Sequence, residues 1–205
     1  MIRNNMTQRF RAWAQCSLVV AGLMLCPGSW VQANPNNEST DQIFGGQILS
    51  LTEKKPELTP SNDPRFQDNL DGTVTDFRGS LMWKKIDIYQ EEKVWINWDD
   101  AQGYLEKFNK AAFAGYSDWR LPTREELKSL YEEHKTIPWK YYWTENVLHI
   151  DPIFGYSSCC FWSSEAYKKK YAWGFNYIRG KSYPSTKGGP SLSLSTIRPV
   201  RAISK

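Results

Sequence analysis

The chain has 205 residues, with 26 basic and 22 acidic side chains and a formal net charge of +4. That length suits one core-bearing domain with accessory segments. Of its four cysteines, Cys16 and Cys26 fall in an N-terminal apolar segment, while Cys159 and Cys160 are adjacent, which excludes a disulfide framework.

Residues 1–33 read as a secretory signal. Arg3, Arg9 and Arg11 supply the positive start, Ser17 to Leu25 the apolar run, and Val31-Gln32-Ala33 a small-residue cleavage site. The run is shorter than the ~20 residues of a spanning helix, and Pro27 and Gly28 follow it, so no permanent membrane span is expected. Lipid attachment at Cys26 is the weaker alternative, because bulky Leu25 precedes it. Cleavage after Ala33 leaves 23 basic and 22 acidic residues, a net charge of +1. The charge is unevenly placed. After Glu165 come nine basic residues and no acidic one, an asymmetry that points to an anionic partner.

Residues 34–63 are rich in Asn, Pro, Ser, Thr and Glu and read as a linker or loosely docked arm. Ile43-Phe44 and Gln47 to Leu51 could add an edge strand. The folded domain is expected over 64–205. Its core has the material to hold by packing, since 8 Trp, 11 Tyr and 7 Phe lie from Pro64 onward.

Within it, Asn69 to Gly72 reads as a turn and Thr73 to Asp76 as a strand. Asp76 to Ser80 is a second turn, and Leu81 to Lys85 a returning strand. Asn97 is an N-cap with Asp100 in the first helical turn. Ala101, Tyr104, Leu105 and Phe108 form the core-facing stripe of that helix. Gly115 ends the region. Thr123 and Glu126 have capping-box spacing, after Pro122, which favours an extended Leu121. A second helix is expected over 124–133, with Leu127, Leu130 and Tyr131 on one face. Residues 136–156, with Pro138, Pro152 and clustered aromatics, read as a long irregular loop. The rest alternates as β structure over 161–164, 172–177 and 195–201. There is no internal repeat and no collagen period. The fold class is α+β.

Five motifs occur in order: Asp71 to Asp76 (Asp-Gly-Thr-Val-Thr-Asp), Leu81-Met82-Trp83, Gly115 to Pro122 (Gly-Tyr-Ser-Asp-Trp-Arg-Leu-Pro), Phe161 to Ser164 and Arg198 to Arg201. Together they resemble the Lcl C-terminal domain family over roughly 65–202. The resemblance implies a bacterial envelope domain with a C-type-lectin-like fold: two helices, antiparallel hairpins and long loops. A relative in the family is a trimeric collagen-like adhesin whose terminal domain binds sulfated glycans. This chain lacks the collagen stalk, so adhesion and homo-oligomerisation stay open.

Lys168, Lys169, Lys170, Arg179 and Lys181 are the leading ligand-binding candidates, because clustered cations attract sulfate or phosphate groups. Tyr167, Tyr171 and Tyr177 interleave with them. The alternative is a solvated hairpin. Tyr141, Tyr142 and Trp143, with Trp139, are candidates for an exposed aromatic surface. Trp83, Trp119, Trp162 and Trp173 sit in the family motifs and read as core before sugar platform. Trp95 and Trp98 flank the helix start and read as half buried. Arg120, Arg198 and Arg201 read as structural cations before anion ligands.

Cys159 and Cys160 form either a vicinal disulfide, two packed thiols or an interchain bond. A trans peptide holds neighbouring Cα atoms ~3.8 Å apart, below the usual ~4.4–6.8 Å of disulfides. Asp71-Gly72 lacks the loop chemistry of a calcium site, since Gln67 and Arg78 stand where acids are needed. The oxygen-bearing run Trp143 to Asn146 leaves a structural calcium ion open. No other cofactor is expected. His134 and His149 lack metal-ligand spacing.

No catalytic residue is assigned, and the chain is expected not to be an enzyme. Formylglycine-generating enzymes share the broad fold, but their paired cysteines are placed differently from the adjacent pair here. The expectation is an exported binding module, periplasmic, surface-bound or secreted, for an anionic polysaccharide or envelope component. No nucleic acid is expected as partner. The alternative is a structural or protein-interaction component of the bacterial envelope.

Overall fold

The computed structural model describes residues 57–59, 61–188 and 194–203. The expected signal (1–33), the suggested edge strand (43–51) and most of the expected arm lie outside them. Among the described residues no helix is long and apolar enough to cross a membrane.

Three antiparallel sheets carry the fold. The first joins β1 (Phe66–Asp68), β2 (Thr73–Asp76), β3 (Leu81–Lys84) and β9 (Val200–Ala202) in the order β1-β2-β3-β9. Every residue of β2 and β3 is buried, and Val74 faces Trp83 across the ladder. The turn before β2 is built by Asp71, whose carboxylate accepts from the Thr73 N–H and hydroxyl at 2.9 and 2.6 Å. It is completed by Gly72 at φ 88°, a conformation that favours glycine. Asp71-Gly72 is therefore a turn, as read.

Three α-helices follow β3 in the chain. Asp87 caps a short α1 (Ile88–Glu92), its carboxylate accepting from the Gln90 N–H at 3.1 Å. No helix is expected over these residues from the sequence pattern. α2 (Trp98–Lys110) buries Ala101 and Leu105, with Asp99 and Asp100 in its first turn. Tyr104 and Phe108 lie half-buried against that same core. Asn97 is the N-cap residue, yet its side chain makes no capping bond and its Oδ1 is buried without a partner. α3 (Arg124–Ser129) opens on the complete capping box. Thr123 Oγ1 accepts from the Glu126 N–H at 3.1 Å, and Glu126 Oε2 accepts from the Thr123 N–H at 2.7 Å. The helix stops at Ser129 rather than Glu133, because Glu132 donates its N–H to the His149 carbonyl instead.

The expected irregular loop over 136–156 is replaced by a hairpin, β4 (Ile137–Tyr141) with β5 (Thr144–Leu148), and a 3-10 turn at Pro152–Phe154. Pro138 is tolerated because a two-stranded ribbon has a free edge. The third sheet has the order β6-β7-β8, from Cys160–Tyr167, Tyr171–Asn176 and Lys181–Thr186. Gly174 is required inside β7, since a Cβ there would sit 2.6 Å from the Tyr183 ring and 3.0 Å from the Phe161 carbonyl.

The C-terminal segment couples the sheets. Thr196 bridges Phe161 of β6, and Val200 pairs with both Trp83 and Arg120. Of the strand expected at 195–201 only Val200 and Arg201 lie in a ladder strand, which runs on to Ala202, because the residues before them are spent on this bridging. Two apolar cores result. One holds Trp83, Leu127, Phe154, Phe161 and Phe175, with Leu58 packed on it; the other holds Ile88, Leu105, Trp119 and Trp162. Leu58, and Asp63 with its ion pair to Lys135, attach the end of the expected arm to the domain body.

Candidate functional site

The turn between β6 and β7 is Lys168-Lys169-Lys170, all three exposed, with Lys168 in the left-handed region at φ 54°. The β7–β8 ladder pairs Tyr171 with Thr186, and one step further the Lys187 N–H donates to the Lys170 carbonyl at 3.0 Å. Four lysines thus meet at one end of the third sheet. Aromatic rings underlie them. Lys168 Nζ stands 5.2 Å from the Tyr167 ring centre, and Lys187 Nζ stands 4.6 Å from that of Trp98. Trp98 is fixed by its indole N–H, which donates to the Ser163 carbonyl at 2.8 Å. Trp173 lies half-buried alongside, 4.8 Å from Tyr167 and covered by the Arg124 guanidinium at 4.7 Å.

Charge at this end is unbalanced. The neighbouring acid, Glu165, is engaged by the Arg124 side chain and by its backbone N–H at 2.9 Å. The Asp99 carboxylate lies against Gly188. Among the described residues no carboxylate forms an ion pair with Lys168, Lys169, Lys170 or Lys187.

Arg179 and Lys181 do not belong to this surface, contrary to the single basic patch expected. They lie at the β7–β8 turn, and Lys181 pairs with Asn176 at the far end of β7. Six strand residues separate the two turns, roughly 17 Å. The reason is topological: in an up-and-down ribbon, successive turns fall at opposite ends. Of the interleaved tyrosines, Tyr167 lies in the cluster and Tyr171 is exposed. Tyr177 is buried in the core, its hydroxyl donating to the Leu127 carbonyl at 2.6 Å.

Lys187 and Trp98 were missing from the sequence-based site. A register count could have found Lys187. With a turn centred on Ile178-Arg179, pairing Asn176 with Lys181 carries Lys170 to Lys187.

The aromatic candidates form a second, separate surface. Tyr142 and Trp143 are the two turn residues of the β4–β5 hairpin, 70% and 89% exposed. Behind them Tyr141 stacks near Trp139 at 5.9 Å and meets Trp95 edge-on at 5.6 Å, accepting the Trp95 indole N–H at 3.2 Å. Trp95 in turn stacks on Tyr89 at 3.9 Å. Tyr142 sits at φ 51°.

The remaining candidates are structural. Trp83, Trp119 and Trp162 are buried. Arg120 makes a bidentate pair with Glu126 at 2.8 and 2.7 Å. Arg198 is buried against Asp87, and Arg201 pairs with Asp118 while lying 3.8 Å from the centre of the Tyr116 ring. Cys159 and Cys160 are joined in a vicinal disulfide with Cα atoms 3.7 Å apart. Cys159 precedes the strand, so the up-and-down alternation of strand side chains does not separate the sulfurs. Among the described residues no group of three His, Cys, Asp or Glu side chains is placed to hold a metal ion.

The family model described as the Lcl C-terminal domain matches residues 72–201, from the glycine of the β1–β2 turn to Arg201 in β9. No curated protein matches the chain.

Proposed function

We propose, from the premise that the chain belongs to the Lcl C-terminal domain family, that it is an exported, non-catalytic module that binds an anionic polysaccharide or envelope polymer. One observation carries this reading: Lys168, Lys169, Lys170 and Lys187 converge without a carboxylate partner, over the faces of Tyr167 and Trp98. Unpaired ammonium groups give charge-assisted hydrogen bonds to sulfate or carboxylate. The adjoining rings offer apolar faces to the carbon skeleton of a sugar. The C-type-lectin-like character of the fold belongs to the same proposal, supported by the family and by helices set beside antiparallel hairpins.

Retention of the full chain on immobilised heparin across a sodium chloride series tests it. The parent is retained at low salt and released as screening rises. A variant with Lys168, Lys169, Lys170 and Lys187 all changed to Ala elutes without added salt, and an Arg179→Ala/Lys181→Ala variant elutes near the parent. A quadruple variant retained like the parent ends the reading.

The hairpin tip favours a second reading, a protein-interaction component of the envelope. Tyr142 holds a positive φ where glycine is preferred, so its ring is retained at a backbone penalty. Capture of a single envelope protein by the parent and not by Trp143→Ala, with no retention on heparin, selects this alternative.

A further inference from the structure

An open groove of about 360 Å³ lies between α2, the segment leading into α3, and β6. Its floor is Leu105, Trp119 and Leu121, exposed by 5, 2 and 2%. Its polar rim is Gln102 and Glu106 on one side and Ser164 on the other. The volume stands at the small end of the roughly 300–1,000 Å³ range of ligand sites. It fits one ring-sized group rather than an oligomer.

The groove continues the lysine surface. Trp98, Gln102 and Glu106 follow one another at helical i, i+4 and i+8 positions, hence on one face of α2. Glu106 is roughly 12 Å along the axis from Trp98. On the opposite wall, Ser164 immediately precedes Glu165, the partner of Arg124.

Charge changes sign along this path. Arg120 borders the groove, but its guanidinium is taken by Glu126, whose carboxylate its hydrogen bonds help to hold below the usual range against burial. Glu106 has no cation partner among the described residues. The groove therefore presents a carboxylate without an ion pair, while the far end presents four lysines without ion pairs and one exposed acid, Asp99, whose N–H donates to the Lys187 carbonyl at 3.2 Å.

Resting on the reading above, we propose that the groove is a subsite for one uncharged sugar ring of the polymer held by the lysines. The domain then selects polysaccharides whose anionic groups are separated by uncharged rings. A charged ring in the groove faces the Glu106 carboxylate. An uncharged ring places its C–H face on Leu105, Trp119 and Leu121, and its hydroxyls bond Gln102, Glu106 and Ser164.

The test titrates the full chain with two length-matched oligosaccharides. One is a keratan sulfate fragment sulfated on alternate rings, and the other a heparin fragment charged on every ring. The parent prefers the alternating fragment by about tenfold at matched salt. Glu106→Gln raises heparin affinity by about threefold, because like charges no longer face each other. Gln102→Ala/Glu106→Ala weakens the alternating fragment by roughly fivefold through lost hydrogen bonds. It leaves the salt dependence unchanged, because no cation is removed. Parent-like binding by both groove variants, with binding lost in the quadruple lysine variant, overturns the groove and leaves the proposed function standing. No binding of either fragment by the parent overturns both.

Discussion

The guanidinium of Arg198 meets the carboxylate of Asp87 at 3.4 Å, with the two side chains 1% and 0% exposed. Asp87 also caps α1 and accepts from the Ser158 N–H and hydroxyl at 2.9 and 2.7 Å. Arg198 donates to the carbonyls of Lys84 and Lys85 and to Ser157 Oγ, and packs on the rings of Phe154 and Phe161. Burial holds the Arg198 pKa below its ordinary value, and Asp87 opposes that shift. The pair binds together β3, α1, the entry to β6 and the C-terminal segment.

Arg198→Ala leaves the Asp87 carboxylate buried without its cation, and the expected loss is about 3–5 kcal/mol. Arg201→Ala costs less, since its partner Asp118 is 58% exposed and solvent takes over. Urea unfolding at pH 7 compares the two. An Arg201 variant as unstable as the Arg198 variant would contradict this account.

Acid should weaken the fold through carboxylates held below their ordinary pKa. For Asp118 the main cause is the hydrogen bond from Arg201; for Asp63 it is the Arg65 N–H, with Lys135 adding to it. For Glu126, burial pushes upward but is outweighed by Arg120 and the Thr123 N–H. Each group binds its proton more weakly in the folded than in the unfolded chain. Its contribution is complete above the ordinary values of 3.8 for Asp and 4.5 for Glu, and is lost as pH falls through the depressed folded values. Unfolding midpoints measured from pH 7 to pH 2.5 should drop below about pH 4. The drop should be shallower in Asp118→Asn/Glu126→Gln; an unchanged acid limb in that variant refutes the assignment.

Single lysine variants separate the two ends of β7. Lys187→Ala should lower the salt concentration needed to elute the domain from heparin, and Arg179→Ala should not, because Arg179 lies at the far turn. The contrast also shows which features were legible in the sequence. The Thr123–Glu126 capping box and the Ala101/Leu105 face of α2 depend on residues three or four apart, and both are visible in the sequence. The convergence of Lys170 with Lys187 depends on strand register across a turn that Asn176 and Gly180 bracket, and it appears only when the pairing is counted outward from there. The 137–148 hairpin was hidden for a related reason. Its strand contains Pro138, and its turn residues are Tyr142-Trp143 rather than the Asn-Gly or Gly-X that announce such turns.

The Cys159–Cys160 bond links chain neighbours, so it removes little freedom from the unfolded chain, where disulfide stabilisation grows with the size of the closed loop. Alkylation in denaturant should leave Cys159 and Cys160 unmodified without reductant and modify both with it. Reduction should add the mass of two hydrogen atoms. It should lower the thermal midpoint by only a few degrees, corresponding to less than about 1 kcal/mol. A loss near the ~3 kcal/mol of a long-loop disulfide would mean that the bond has another structural role.

The hairpin tip offers a test in which stability and function move in opposite directions. Tyr142 occupies a left-handed conformation at φ 51°, which costs an L-residue roughly 1–2 kcal/mol. Tyr142→Gly relieves that strain but gives the unfolded chain more freedom, for a net gain of about 0.5–1 kcal/mol. Trp143 is 89% exposed and supports no core, so Trp143→Ala should leave stability within about 0.5 kcal/mol. Differential scanning calorimetry on the two variants measures both effects. If Tyr142→Gly destabilises the domain, the ring is held by packing and its place at the tip needs no partner. If it stabilises the domain while capture of an envelope protein falls, then the strained turn is kept for the surface that it presents.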